Sequence, residues 1–222
     1  MAIQVQGNSG VVGDVAGTVF RALNVNVKPI EWATLGHYRV NHRFAFGGTQ
    51  AANSRLFEVR NTHATNLIVP TRLIIKAIQT GTFTAAIETS LDVFKGTSFS
   101  AVDTTNTVTP TASQKRSSMA APPGAAAIRG VTVAGAAAGM TGGTITKDGG
   151  SIGQLPLWFL AAQPTAGPVP FIFVDNFDDV NGTHPFVFVQ NEGLEIENRV
   201  VMGASVGASV YIDFSWAEVT AY

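Results

Sequence analysis

The chain contains no cysteine. Disulfides and thiolate metal sites are therefore excluded, and the redox compartment leaves no mark on the composition. Charge is scarce. Asp, Glu, Lys and Arg make up 13% of 222 residues, about half the usual share. A surface so poor in charge is often covered by partners; a coat of Thr, Ser, Asn and Gln is the other solution. The formal net charge is −1 and there is no basic run. That argues against direct nucleic-acid binding, which needs Lys and Arg to displace counterions. No apolar run is long enough to span a bilayer: the longest, Leu155 to Ala162, is short and contains Pro156. The opening Met1-Ala2-Ile3-Gln4-Val5 lacks a cationic segment followed by an apolar core, so no Sec-type signal peptide is expected. Nor do apolar residues repeat at helical spacing through three turns anywhere, so no amphipathic helix is expected.

What the chain has instead is alternation. In Ser205 to Val219, every second residue from Val206 is apolar: Val206, Ala208, Val210, Ile212, Phe214 and Trp216. A strand turns successive side chains to opposite faces, so these six share a face and predict a half-buried strand. A slip of one residue would carry Phe214 and Trp216 into water, which fixes the register. Tyr38, Val40, His42, Phe44 and Phe46 alternate in the same way with His37, Arg39, Asn41, Arg43 and Ala45, ending at Gly47-Gly48. A weaker run is Phe83, Ala85, Ile87, Thr89, Leu91 and Val93. Further strands are expected at Leu56–Arg60, Leu67–Ile78, Leu155–Leu160, Val169–Val174, Pro185–Gln190 and Leu194–Val200, with an edge or bulge at Pro70. The segment 120–150 is rich in Ala and Gly. Its Pro and Gly residues interrupt a helix too often, so it reads as long loops holding a short strand near Ile128–Val133. The whole reads as roughly eight to ten strands, an all-β antiparallel sandwich, jelly roll or barrel over 35–222. Ahead of it, 1–34 reads as an extended arm. There Ile3, Val5, Val11, Val12 and Val15, spaced by Gly, suit either strand addition to a neighbouring subunit or pairing within the chain's own domain.

Chemical constellations are thin. Two stretches match the G-x-S-x-G pattern of serine hydrolases. In Gly203-Ala204-Ser205-Val206-Gly207 the Ser precedes a strand rather than a helix, and no His follows it, since His184 is the last. Gly149-Gly150-Ser151-Ile152-Gly153 is followed by Asp175, Asp178, Asp179 and His184 in the hydrolase order. No apolar strand leads into Ser151, however, and Pro156 stands where the helix would begin. Enzymatic activity is not expected. His37 and His42 fall on opposite faces of their strand and cannot share a metal as strand neighbours. His42 is expected to be hydrogen-bonded and half-buried. Asp175, Asp178, Asp179, Asn181 and Gly182 form an acidic loop, but Phe177 occupies a position that a Ca²⁺ loop fills with oxygen. A solvated turn is expected there, with Ca²⁺ as the alternative. Asn181-Gly182-Thr183 is a glycosylation sequon. Glu58, Glu88, Glu192, Glu195, Glu197 and Glu218 show no spacing that would pair carboxylates for glycoside hydrolysis. No catalytic residue, metal ligand or cofactor is nominated.

The C-terminal third carries a pattern of another kind. His184-Pro185-Phe186-Val187-Phe188-Val189-Gln190-Asn191-Glu192-Gly193 leads, after Ile196, to a turn and a closing strand that ends Trp216-Ala217-Glu218-Val219. Further islands are Leu35-Gly36-His37-Tyr38-Arg39, Phe57-Glu58-Val59-Arg60, Asp92-Val93-Phe94-Lys95, Phe99-Ser100-Ala101 and Lys115-Arg116-Ser117-Ser118-Met119. In order and spacing these resemble loosely annotated virion structural proteins of tailed bacteriophages, from about Ala22 to Tyr222. The final turn departs from that pattern, with Met202-Gly203-Ala204 where the family usually has Pro, Thr and Gly. The resemblance implies a jelly-roll decoration or cement protein on the capsid. It also implies virion localisation after synthesis in the host cytoplasm, the major capsid protein or other virion proteins as partners, and a symmetric homo-oligomer with a trimer favoured. The alternative is a tail or receptor-binding component that recognises host carbohydrate through Trp32, Trp158 and Tyr222.

Overall fold

Strand after strand follows the alternation, and the long ones reach across a sheet. The structure is a computed structural model and describes residues 3–6, 12–15, 35–115, 123–132, 139–162, 167, 170–177, 186–203 and 205–220. Among these residues there is no helix. The chain divides into two units, Met1–Ile30 and Glu31–Tyr222. In the first, β1 (Ile3–Gln6) and β2 (Val12–Val15) form a two-stranded antiparallel sheet, with Ile3 opposite Val15 and Val5 opposite Gly13.

The second unit is two antiparallel sheets packed face to face. Its strands are β3 (Gly36–Gly47), β4 (Arg55–Asn61), β5 (Leu67–Gln79), β6 (Ile87–Phe99), β7 (Thr107–Val108), β8 (Ala112–Gln114), β9 (Ala126–Val131), β10 (Ile145–Lys147), β11 (Gly153–Phe159), β12 (Phe171–Asp175), β13 (Gly193–Asn198) and β14 (Val206–Val219). One sheet has the order β12-β5-β14-β3-β8. The other runs β10-β6-β13-β4-β9-β7, with β11 taking the Ile87–Val93 half of the β6 edge and β10 the half near Phe99. The last strand is central to the first sheet, zipped to β3 on one side and β5 on the other.

The inner faces interdigitate as the period-two pattern requires. Phe214 and Trp216 from β14, Tyr38, Phe44 and Phe46 from β3, and Leu73 and Ile75 from β5 are all buried. They meet Phe57 and Val59 of β4, Leu91 and Val93 of β6, Leu157 and Phe159 of β11, and Leu194 and Ile196 of β13 in one cluster. The Trp216 ring stacks 5.5 Å from both Tyr38 and Phe214. Burying one such aromatic ring contributes about 3 kcal/mol.

Several expectations need correction. Val206 is 53% exposed rather than part of the buried face, because the pairing with β3 shifts register between Val206 and Ala208 and turns the strand's first residue outward. β6 begins at Ile87, so Phe83 reaches the core from a loop and Ala85 is exposed. In the Pro185–Gln190 stretch, 185 lies outside the described residues, and the rest makes a single bridge, Phe188 to Ile68. The strand in the Ala/Gly-rich segment is Ala126–Val131, while 120–122 and 133–138 lie outside the described residues. Pro70 does sit at a bulge, where the register with β14 shifts between Ser215 and Trp216.

Candidate functional site

The same alternation that fills the core also decides what each sheet shows on its outer face, and the two outer faces differ sharply in charge. On the sheet of β4, β13 and β6, the outward residues of β13 are Glu195 and Glu197. Register places Glu195 between Glu58 and Phe94, and Glu197 between Arg55 and Asp92. Glu58, Asp92, Asp103, Glu195 and Glu197 are all 1% exposed or less. Five buried carboxylates face three main cations. Arg55 lies 3.5 Å from Glu58 and 3.3 Å from Asp103. Lys147 lies 2.8 Å from Glu197 and 3.4 Å from Glu195, with its ammonium 4.7 Å over the Phe94 ring. Arg199 lies 3.2 Å from Asp92. Backbone N–H groups supply the rest: Asp103 donates to Glu58 at 3.0 Å, and Gly142 donates to Asp103.

Glu195 comes off worst. Its nearest cation among the described residues, Lys147 at 3.4 Å, meets it as an ion pair without a well-aligned hydrogen bond. Burial raises its pKa from the ordinary value to about 7, against the pull of Lys147 and with the push of Glu197. Burial also raises Glu58, which the Asp103 N–H and Arg55 partly offset. Lys147 occupies the position between Glu195 and Glu197 that a bound cation would take. No group of three or more His, Asp or Glu side chains is arranged to hold a metal among the described residues.

The other outer face is open and basic. Across β3, β14 and β5 the register sets three rows: Arg43–Tyr211–Lys76, Asn41–Asp213–Ile74 and Arg39–Ser215–Arg72. The Cα atoms of Arg43, Lys76, Arg72 and Arg39 therefore mark the corners of a rectangle of about 10 by 13 Å. Asp213 is at its centre. Arg39 Nε donates to Asp213 at 2.9 Å and Arg72 Nη2 donates to it at 3.3 Å. Arg43 sits 5.5 Å over the Tyr211 ring. The side chains of Arg39 and Arg72 remain 45% and 41% exposed, so both guanidinium groups keep open donors. Lys115 stands close enough that, after burial, Arg72 and Arg39 are what lower its pKa. β12 extends the rows with Ile172 beside Lys76 and Val174 beside Ile74, both more than half exposed. A shallow depression of about 340 Å³ lies among these residues. Past the Ser215 row the face closes, where Val69, Ala217 and Val219 are buried with Leu67 and Val187.

The residues singled out in the sequence fall elsewhere. Ile3 and Val5 lie on β1, Val12 and Val15 on β2, and Val11 lies outside the described residues. Ser151 is in the loop before β11, while His184 lies outside the described residues. Ser205 holds Gly48 through its carbonyl at 3.1 Å. His42 is 7% exposed, more deeply buried than expected. Its Nε2 is 2.9 Å from the Val131 carbonyl, and burial lowers its pKa. Asp175 accepts from the Phe177 N–H at 2.8 Å; 178–185 lie outside the described residues. Trp158 is 53% exposed on β11, and Trp32 and Tyr222 lie outside the described residues.

The motif residues of the C-terminal third do structural work. Asn191 adopts φ 66°, accepts from Arg60 at 2.7 Å, and ties its backbone to Asn61 and Phe99. Gly193 passes so close to β4 that a Cβ would stand 1.9 Å from the Val59 carbonyl oxygen. Glu218 accepts the N–H groups of Gly124, Ala125 and Ala126 at 2.9, 3.0 and 3.1 Å, and is 2% exposed. No family model matches the chain, and neither the curated proteins nor the solved structures contain a match to it.

Proposed function

We propose that the chain is a virion structural protein of a tailed bacteriophage, a decoration or cement protein that stabilises the head by binding rather than by chemistry. The observation that carries this reading is the framework role of the residues that bear the resemblance. Asn191, Gly193, Trp216 and Glu218 each hold two distant strands or a strand and a turn together, so the shared pattern describes a way of folding and not a reaction centre. The sandwich is read as a jelly roll. Its eight main strands, β3, β4, β5, β6, β11, β12, β13 and β14, order themselves as first-eighth-third-sixth in one sheet and second-seventh-fourth-fifth in the other. That order supports a long hairpin rolled into two Greek keys.

Assembly is read as a homotrimer that contacts the major capsid protein or other virion proteins, with the arm's two strands available for pairing with a neighbour. Deleting Met1–Val15 should reduce attachment to particles that lack the chain, and should leave the melting transition of the sandwich in place. A full-length chain that stays monomeric at high concentration and does not bind emptied capsids would end the cement reading. One observation favours a second reading, a tail or receptor-binding component. Trp158 is exposed beside Glu88, its cross-strand partner, as a sugar platform requires. Saturable glycan binding lost in Trp158→Ala would move the assignment there.

A further inference from the structure

We propose that the outer face of the β12-β5-β14-β3 sheet is a docking surface for an acidic protein surface flanked by an apolar patch, on a partner other than a second copy of this chain. The inference rests on the virion reading for the identity of the particle. Its own basis is the cross-strand register. Arg39, Arg43, Arg72 and Lys76 surround one carboxylate, Asp213, that only two of them contact. A surplus of positive charge therefore stands on a flat face of a chain whose formal net charge is −1. Guanidinium forks match carboxylates in two-bond geometry, and Asp213 anchors those of Arg39 and Arg72 on the face. Beside them Ile172 and Val174 are 52% and 53% exposed, an apolar strip that free ions and solvent leave unburied.

Three occupants compete for this face. Two copies related by a twofold axis would set basic face on basic face, which like charge opposes. The chain's own acidic face offers no counterpart, because its carboxylates are buried and already held by Arg55, Lys147 and Arg199. Nucleic acid would accept the four cations, but the Ile172–Val174 strip would have nothing to contact on a phosphate backbone. An acidic protein surface with an apolar knob satisfies both features, with the charges steering encounter and the strip adding burial.

The test measures attachment of the full chain to particles lacking it, for three proteins. These are the parent, the double variant Arg43→Gln/Lys76→Gln, and the control Leu160→Glu/Val201→Glu. The control changes net charge by the same amount at exposed sites outside the four strands of this face, Leu160 after β11 and Val201 between β13 and β14. The double variant leaves the Arg39 and Arg72 contacts to Asp213 untouched, so its melting temperature should match the parent. Expected results are attachment weakened about tenfold in the double variant and within about twofold of parent in the control. Parent attachment should fall as salt rises from about 0.05 to about 0.3 M. Poly-L-glutamate should compete and a short duplex DNA should not. A double variant that attaches like the parent overturns the docking face and leaves the virion reading standing. A parent that does not attach removes both. Competition by DNA stronger than by poly-L-glutamate overturns the acidic-protein assignment in favour of nucleic acid.

Discussion

Replacing Glu195 with Gln should flatten the pH dependence of stability between about pH 5 and pH 8. The carboxyl group lies directly across from Glu58 on β4, is 1% exposed, and meets Lys147, its nearest cation among the described residues, only at 3.4 Å without a well-aligned hydrogen bond. Its pKa is raised to about 7 from the ordinary 4.5. A raised acid binds more protons folded than unfolded between those two values, so stability falls as pH climbs through that window. The full loss is about 3 kcal/mol, most of it between pH 5 and pH 8. Gln keeps the shape and carries no proton to lose, and Lys147 retains Glu197 at 2.8 Å. His42 titrates with the opposite sign. Burial lowers its pKa, so its contribution is lost as pH falls through the acid side of the window. Subtracting variant from parent cancels that term. Urea unfolding at several pH values gives both curves. A parent and a variant that lose the same stability between pH 5 and pH 8 would refute the buried-acid account.

Phe214→Ala should cost about 3–5 kcal/mol in the same assay, because the ring is fully buried against Trp216 and leaves a cavity at the centre of both sheets. Gly193→Ala should cost more than about 2 kcal/mol despite adding one methyl, since the Val59 carbonyl belongs to a paired strand and cannot retreat; near-parent stability would contradict the close approach. A serine-directed fluorophosphonate probe should leave Ser151 unlabelled, as mass spectrometry of the treated chain would reveal, and labelling there would reopen the hydrolase reading.

Local alternation was legible without any structure. Tyr38 to Phe46 and Ala208 to Trp216 place their apolar residues on one face, and a strand buries whichever face is apolar. The absence of a helical stripe likewise left only strands to build with, hence a sandwich. Asn191, Glu192 and Gly193 could be seen as a turn, and the close approach to Val59 gives the reason a glycine stands there. What no stretch of chain could announce is which distant residue lies across from which. Glu58 and Glu195 are separated by most of the domain and seemed unrelated; a β4–β13 ladder makes them neighbours, and burial there raises the pKa of both. Arg39, Arg43, Arg72 and Lys76 do not form a basic run, because they come as two pairs, each four residues apart, on β3 and on β5. They become a patch only when β14 is inserted between β3 and β5. Even the exposed Val206 follows from this, since a bulge belongs to a pair of strands and not to one of them. The sequence by itself determined most of the long strands and the faces they bury. Register between strands far apart in the chain was decided only by the packed sandwich, where inter-strand hydrogen bonds and the fit of the core choose one alignment from many.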